Sequence, residues 1–198
     1  VFGEDQRWAT FPSVAIGWTF SDESFLKSVN WLSYGKIRAS WGQSGVQFDK
    51  AYLAHGLMEI GAIYDGERGM RASGILNRKL GWEQSDQYDL GLDLSLGGFN
   101  ITVDWFKKQT KDLLFQKQVP KYNGGGTYWV NQGKLNNTGV EMSLTTFPVK
   151  GAVTWETSLN ASYVKNEVAD LAGDDFVLTA NYSDLGGPLQ IMKPGYPM

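Results

Sequence analysis

The chain has 198 residues, a net charge of −3 and a pI near 5.2, so it is long enough for one sizeable domain and carries no broad basic field that would draw nucleic acid. Without cysteine, disulfides and thiolate chemistry are excluded. No run approaches the ~18 apolar residues of a membrane helix, but a transmembrane barrel has the same mean hydropathy as a soluble protein, because half of each strand faces water.

The opening "VFGEDQRW" has neither the basic flank nor the apolar core of a signal peptide, and "MKPGYPM" closes the chain in a turn-like stretch, so a section of something longer is expected. Between them, six segments alternate with the period of a β-strand. The first, Ser13 to Phe20, sets Val14, Ile16, Trp18 and Phe20 against Ser13, Ala15, Gly17 and Thr19. The link that follows, "SDESFLKSVNWLS", has a serine cap and room for about a turn or two of helix. The second segment, Lys36 to Gln43, sets Ile37, Ala39 and Trp41 against Lys36, Arg38, Ser40 and Gln43.

The third and fourth segments are "QYDLGLDLSLGGFNITVDWF", Gln87 to Phe106. Tyr88, Leu90, Leu92, Leu94 and Leu96 alternate with polar or small residues, and Phe99, Ile101, Val103 and Trp105 do the same beyond Gly97-Gly98. A two-residue glycine loop supplies the positive φ that such a hairpin needs. Folding it there pairs Leu94 with Ile101, Leu92 with Val103 and Leu90 with Trp105; on the other face Asp93 meets Thr102 and Ser95 meets Asn100. A slip of one residue would carry the aspartates to the apolar side.

In the fifth segment Val140, Met142 and Leu144 oppose Glu141, Ser143 and Thr145. In the sixth, Val153, Trp155, Leu159, Ala161 and Tyr163 oppose Thr154, Glu156, Ser158, Asn160 and Ser162. Links within the pairs are short. Those between pairs, Ser44 to about Ser85 and Lys111 to about Thr138, are long, as is the tail from Lys165. Strict alternation of short and long fits an up-and-down meander with tight turns at one end, the asymmetry of outer-membrane barrels.

A soluble antiparallel β-sandwich also alternates, and a soluble β-rich module binding extracellular glycans is the second reading. Strand lengths suited to a tilted crossing, the loop asymmetry, and aromatics near strand ends (Trp18, Phe20, Trp105, Tyr163) draw the choice toward the membrane. Pattern alone leaves both open.

The residues themselves go further. "RWATFPSVAIGWTFSDESF", "WLSYGKIRASWGQSG", "NRKLGWEQSDQYDLGLDLSL", "DWFKKQTKDLLF" followed by "VP", "NNTGVEMSL", "KNEVADL" and "GYP" occur in that order over nearly the whole chain. Together they resemble the C-terminal barrel region of the SusC/RagA family of TonB-dependent outer-membrane transporters. Two departures stand out: Gly81 replaces a basic residue before the Trp-Glu pair, and Ser44-Gly45 lacks the usual following asparagine.

The resemblance implies an all-β fold, part of a large transmembrane barrel of about 22 strands with a plugged lumen. Residues 1–198 would form one partial barrel domain, contributing the six strands and part of a seventh, with the plug and closing strands elsewhere in the protein. It further implies import of oligosaccharides or peptides through the outer membrane of a Gram-negative bacterium. The implied partners are a SusD-type lipoprotein lid, the TonB complex acting through an N-terminal region, and outer-membrane lipid. By the same analogy the short links face the periplasm and the long ones the exterior. Trp18, Leu90, Leu92, Leu94, Ile101, Val103 and Trp105 would touch lipid; Arg38, Asp89, Asp93, Asp104, Glu141 and Glu156 would face the lumen.

Catalytic chemistry finds no support in these residues. The carboxylates are spread along strands beside Lys36 and Arg38, as a hydrated lining would be, and not paired around a substrate. His55 lacks a partner at metal-ligand or triad spacing, so neither a catalytic nor a metal role is expected, and no cofactor. "YNGGGTYWVNQG" lacks the lysine and helix of a phosphate loop and reads as a flexible outer loop. Beside its glycines, Tyr122, Tyr128 and Trp129 are candidates for stacking on a sugar or packing into a lid, against the plainer reading that they pack within the loop. Asp174-Asp175 reads as an exposed acidic turn more readily than as a calcium site.

Overall fold

The computed structural model describes residues 2–46, 52, 54–72, 74–118, 127–149, 151–182 and 187–198. Its strands follow in chain order as β1 (Ser13–Trp18), β2 (Leu32–Val46), β3 (Met58–Tyr64), β4 (Glu67–Ala72), β5 (Glu83–Leu96), β6 (Phe99–Lys111), β7 (Leu114–Gln118), β8 (Thr127–Asn131), β9 (Lys134–Val149), β10 (Trp155–Asp170), β11 (Val177–Tyr182) and β12 (Gly187–Met192). One six-stranded antiparallel sheet runs β1-β2-β5-β6-β9-β10, and the remaining strands pair locally as β3-β4, β7-β8 and β11-β12. All six expected segments are in the main sheet. The three local hairpins lie in the long links, so every such excursion leaves from the same end of the sheet.

The β5–β6 hairpin has the expected register, with Leu94 opposite Ile101, Leu92 opposite Val103 and Asp93 opposite Thr102. Gly97 and Gly98 turn it at φ +52° and +95°. That register continues across the sheet. One row reads Ile16, Ala39, Leu90, Trp105, Val140, Tyr163, and the next reads Trp18, Ile37, Leu92, Val103, Met142, Ala161. Alternation therefore sorts the side chains of all six strands onto two consistent faces.

Several expectations are corrected. The first strand stops at Trp18, because Thr19 leaves the extended region and Phe20–Asp22 form a 3-10 turn. No longer helix follows, and no side chain caps the turn; the Ser21 hydroxyl instead reaches Asp22 at 3.4 Å. Phe20 lies over Gly35, where a Cβ would collide with its ring. Trp18 ends β1 yet stands in the row of Leu92, so that strand stops midway along the height of the sheet. Gln43 shares the face of Trp41 rather than that of Arg38, by the same period-two rule. β10 begins at Trp155, with Val153 in the bend before it. The partial seventh strand is not in the main sheet among the described residues: β12 pairs with β11.

Among the described residues, the buried hydrophobic side chains gather at the end that carries the long links. Val168, Leu171 and Met192 form a buried cluster against Phe115, Leu135 and Val177. Nearby, Leu80 is fully buried, Gly3 N–H donates to its carbonyl at 2.8 Å, and Trp82 meets the rings of Phe2 and Phe11. The middle of the sheet is a single layer. Val14, Ile16, Leu90, Leu159 and Tyr163 are exposed there, so the structure is not a sandwich with a sealed interior.

Candidate functional site

The first face of the sheet is apolar. Between the row of Trp41 and Tyr88 and the row of Leu96 and Phe99, none of its residues is charged. Leu92 lies midway. From Tyr88 to Leu96 the chain rises ~27 Å at ~3.4 Å per residue, or ~21 Å at a ~40° tilt, close to the ~25 Å apolar band of an outer-membrane barrel. Trp18, Leu90 and Trp105 are exposed here, and Leu92, Leu94, Ile101 and Val103 are half-buried by their neighbours alone.

The opposite face is polar and organised around Arg38. Its Nε donates to Asp93 Oδ2 at 2.8 Å, and its Nη2 to Asp93 Oδ1 at 3.1 Å and to Asp104 Oδ1 at 2.9 Å. Thr102 adds a hydroxyl donor to Asp93 at 3.2 Å. Arg38, Asp93 and Asp104 sit on β2, β5 and β6, so the guanidinium must cross the middle strand. It does so over Gly91, where a Cβ would lie 2.7 Å from Arg38 Cζ and 2.5 Å from Asp104 Oδ1. Any larger residue would lift the arginine off its carboxylates.

Asp89 is one row away and accepts from Ser40 at 3.1 Å and Gln87 at 2.9 Å. Glu141 stands across from Asp104. Glu156 is apart from them near the start of β10, exposed, accepting from Ser158 at 3.3 Å. Three of the six expected polar residues thus share one network, and the rest line the same face separately. The role of Gly91 is not evident from the sequence; its signal is that it lacks a side chain in the polar series of Gln87, Asp89, Asp93 and Ser95, at a position opposite both Arg38 and Asp104.

The long links form a second region. Tyr128 and Trp129 lie half-buried on β8, while Tyr122 and Gly124 to Gly126 lie outside the described residues. The flexible-loop expectation fails for the latter half of that stretch, which is strand and junction. Asn131 reads the Gly81 backbone as a partner strand would: it accepts from Gly81 N at 2.7 Å and donates to Gly81 O at 2.9 Å and to Asp112 O at 3.1 Å. Asn77 donates to Trp129 O at 2.7 Å. Gln132 reaches the other way, donating to Asp174 Oδ2 at 2.8 Å and to Leu171 O. Each link is thereby stitched to the next.

Asp174 also pairs with Lys117 at 2.7 Å. The hydrogen bond from Lys117, helped by that from Gln132, holds its carboxyl below the usual carboxylate range. This carboxylate has a structural partner, and Asp175 beside it is exposed. His55 stacks edge-on against Tyr52 at 5.9 Å. Among the described residues no group of three His, Cys, Asp or Glu is placed to hold a metal ion.

The registers define a β-wall with one face uncharged through its middle rows and one polar face, of the kind that closes into a membrane barrel. Residues 1–193 match the family model "TonB dependent receptor-like, beta-barrel". The chain is 35% identical over 184 residues to TonB-dependent receptor P39 of Formosa agariphila, covering 91% of this chain and 18% of that protein. It is also 35% identical over 190 residues to TonB-dependent receptor SusC of Bacteroides thetaiotaomicron, covering 88% of this chain and 18% of that one. A solved structure of the RagAB peptide importer in its closed-closed state superposes with a TM-score of 0.84 at 26% identity, over 99% of this chain and 21% of its counterpart.

The chain belongs to the TonB-dependent receptor β-barrel family, in its SusC/RagA group. It spans about a fifth of the length of the relatives it matches.

Proposed function

We propose that residues 1–198 form one section of the barrel wall of an outer-membrane importer that admits oligosaccharides or peptides and works with a SusD-type lipoprotein lid and the TonB complex. The apolar face contacts lipid and the Arg38 face lines the lumen. The observation that carries this reading is the sheet itself, a single layer whose uncharged face is bare over the depth of a bilayer core. A soluble domain would leave that face exposed to water at great cost. RagAB is a peptide importer and SusC is a TonB-dependent receptor, which supports a nutrient-import role and leaves sugar and peptide as the two solute classes. The family's function is transport, and the wall does no bond chemistry.

Spin labels at single cysteines in the full-length protein, reconstituted in lipid vesicles, test the assignment of faces. Labels replacing Leu92 and Val103 are expected to collide with dissolved oxygen, and labels replacing Thr102 and Asn160 with a water-soluble nickel chelate. The reverse pattern would refute it. Uptake by cells of labelled oligosaccharide or peptide, with and without the lipoprotein partner, then separates the solute classes.

A further inference from the structure

The apolar face is not flat. Ala39 sits between Ile16 and Leu90, and so forms the floor of a depression walled by Trp41, Tyr88 and Trp105. Its volume is about 640 Å³, within the ~300–1,000 Å³ of small-molecule sites. Lys107 closes the end nearest the long links, in the row of Tyr88. Beyond that row the same face becomes polar, with Asp86 and Gln109 next in line.

The other lysines at this end of the face are neutralised. Lys111 pairs with Asp86 at 2.8 Å, Lys134 with Asp170 at 3.9 Å and Lys165 with Glu167 at 2.6 Å. Lys107 is exposed and has no ion pair among the described residues. An apolar trough thus runs up to one uncompensated cation at the level where the face turns from apolar to polar.

We propose that this trough is a binding site for an anionic lipid of the surrounding bilayer, with an acyl chain lying over Ala39 between the aromatic walls and the headgroup phosphate on Lys107. The assignment rests on the wall reading above. Charge and position select the occupant: a chain of methylenes fills the trough along the strand direction, and the free ammonium meets the phosphate at headgroup depth. A protein partner at the same face would have to displace lipid and would still meet a lone cation. A zwitterionic lipid also brings a phosphate to Lys107, but its own headgroup cation offsets the attraction that a net-anionic lipid keeps.

Native mass spectrometry of the full-length protein, titrated in detergent with dioleoylphosphatidylglycerol or with zwitterionic dioleoylphosphatidylcholine, tests the site. Wild type is expected to retain the anionic lipid preferentially. Lys107→Gln should weaken that retention about five-fold, equivalent to the ~1 kcal/mol contributed by one lysine at a charged lipid surface. Ala39→Leu, which fills the floor, should weaken it as well, and Lys165→Gln, also exposed but already paired, should leave it unchanged. Equal retention of both lipids by wild type, or unchanged retention in Lys107→Gln, would overturn the site. So would a second protein copy held at this face and released by Ala39→Leu. Oxygen-accessible labels at positions 92 and 103 in the same preparation keep the wall reading standing when the lipid site alone fails; water-accessible labels there would remove both.

Discussion

Met142 and Ser143 are neighbours on β9 that point to opposite sides of the sheet, which makes them a paired test of which side meets lipid. Met142 stands in the middle row of the apolar face beside Val103 and Ala161, and Ser143 stands beside Thr102 and Asn160 on the Arg38 face. Met142 is 40% exposed in the isolated wall, so an arginine has room at that position and the cost of placing it there is one of solvation. On the lipid side of a barrel at mid-depth that cost is ~2–4 kcal/mol, falling to ~0–1 kcal/mol near the interface. Met142→Arg should therefore destabilise the full-length protein in vesicles by ~2–4 kcal/mol, and Ser143→Arg, in a watery lumen, by no more than the ~0.5 kcal/mol typical of a surface change. Tyr88→Arg, at the border row, should fall between them. Urea titration followed by tryptophan fluorescence reads the differences as shifts in midpoint. Equal costs at positions 142 and 143, or a larger cost at 143, would refute the assignment of faces.

Further outcomes follow from the two hydrogen-bonded regions. Gly91→Ala should displace Arg38 from both Asp93 and Asp104. Those side chains are 24–40% exposed, so each pair is worth only the ~0.2–1 kcal/mol of a solvated ion pair, and the expected loss is ~1 kcal/mol; repeating the substitution in an Arg38→Met background should nearly abolish it. Asn131→Ala should leave the Gly81 backbone groups unpaired at ~1–3 kcal/mol, seen as at least about five-fold faster hydrogen exchange at Gly81 with little change in the main sheet. The Asp174 latch should respond to acid. Its carboxyl titrates lower folded than unfolded, so its contribution is fully present above the unfolded value of ~3.9 and fades as pH falls through the lower folded value. Exchange over residues 171–176 should rise in that acid window in wild type, and Asp174→Asn should remove the dependence.

The parts legible in the sequence were those where one face is apolar and the other polar. The hairpin around Gly97-Gly98 could be registered residue by residue, because any slip would mix leucines with aspartates. Legibility failed where that contrast disappears. β3 reads "MEIGAIY", and Gly61, at φ +126°, puts an irregularity between Ile60 and Ala62 that breaks the alternation. β7, "LFQKQ", is too short for a period to show. The Arg38 network was half legible: its residues were placed on the right face, but which carboxylates the guanidinium would reach depends on Gly91 and on cross-strand register. The Asn131 and Gln132 stitches carried no pattern at all, since a side-chain amide mimicking a strand looks like any polar loop residue.

The strand ends nearest the long links run on past the segments that alternate. β5 has 14 residues, β6 has 13, and β9 and β10 have 16 each, against the ~9–11 that a tilted crossing needs. The excess lies toward the long links, and there the apolar face becomes a row of Gln43, Asp86, Gln109 and Asn136. These groups satisfy one another: Gln43 donates to Asp86 at 2.7 Å, Lys111 to Asp86 at 2.8 Å and Gln109 to Asn136 at 3.1 Å. A hydrogen-bonded polar row on the same face as Leu92 is compatible with hydrocarbon contact only if it stands beyond the hydrocarbon. In the proposed wall the strands therefore emerge from the membrane at the row of Trp41 and Tyr88 and continue as β-structure, wet on both faces, into the stitched outer links. The loss of alternation past Tyr88 is thus a change of solvent and not the end of a strand, and Lys107, at that crossing point, is where a charged lipid headgroup would be met.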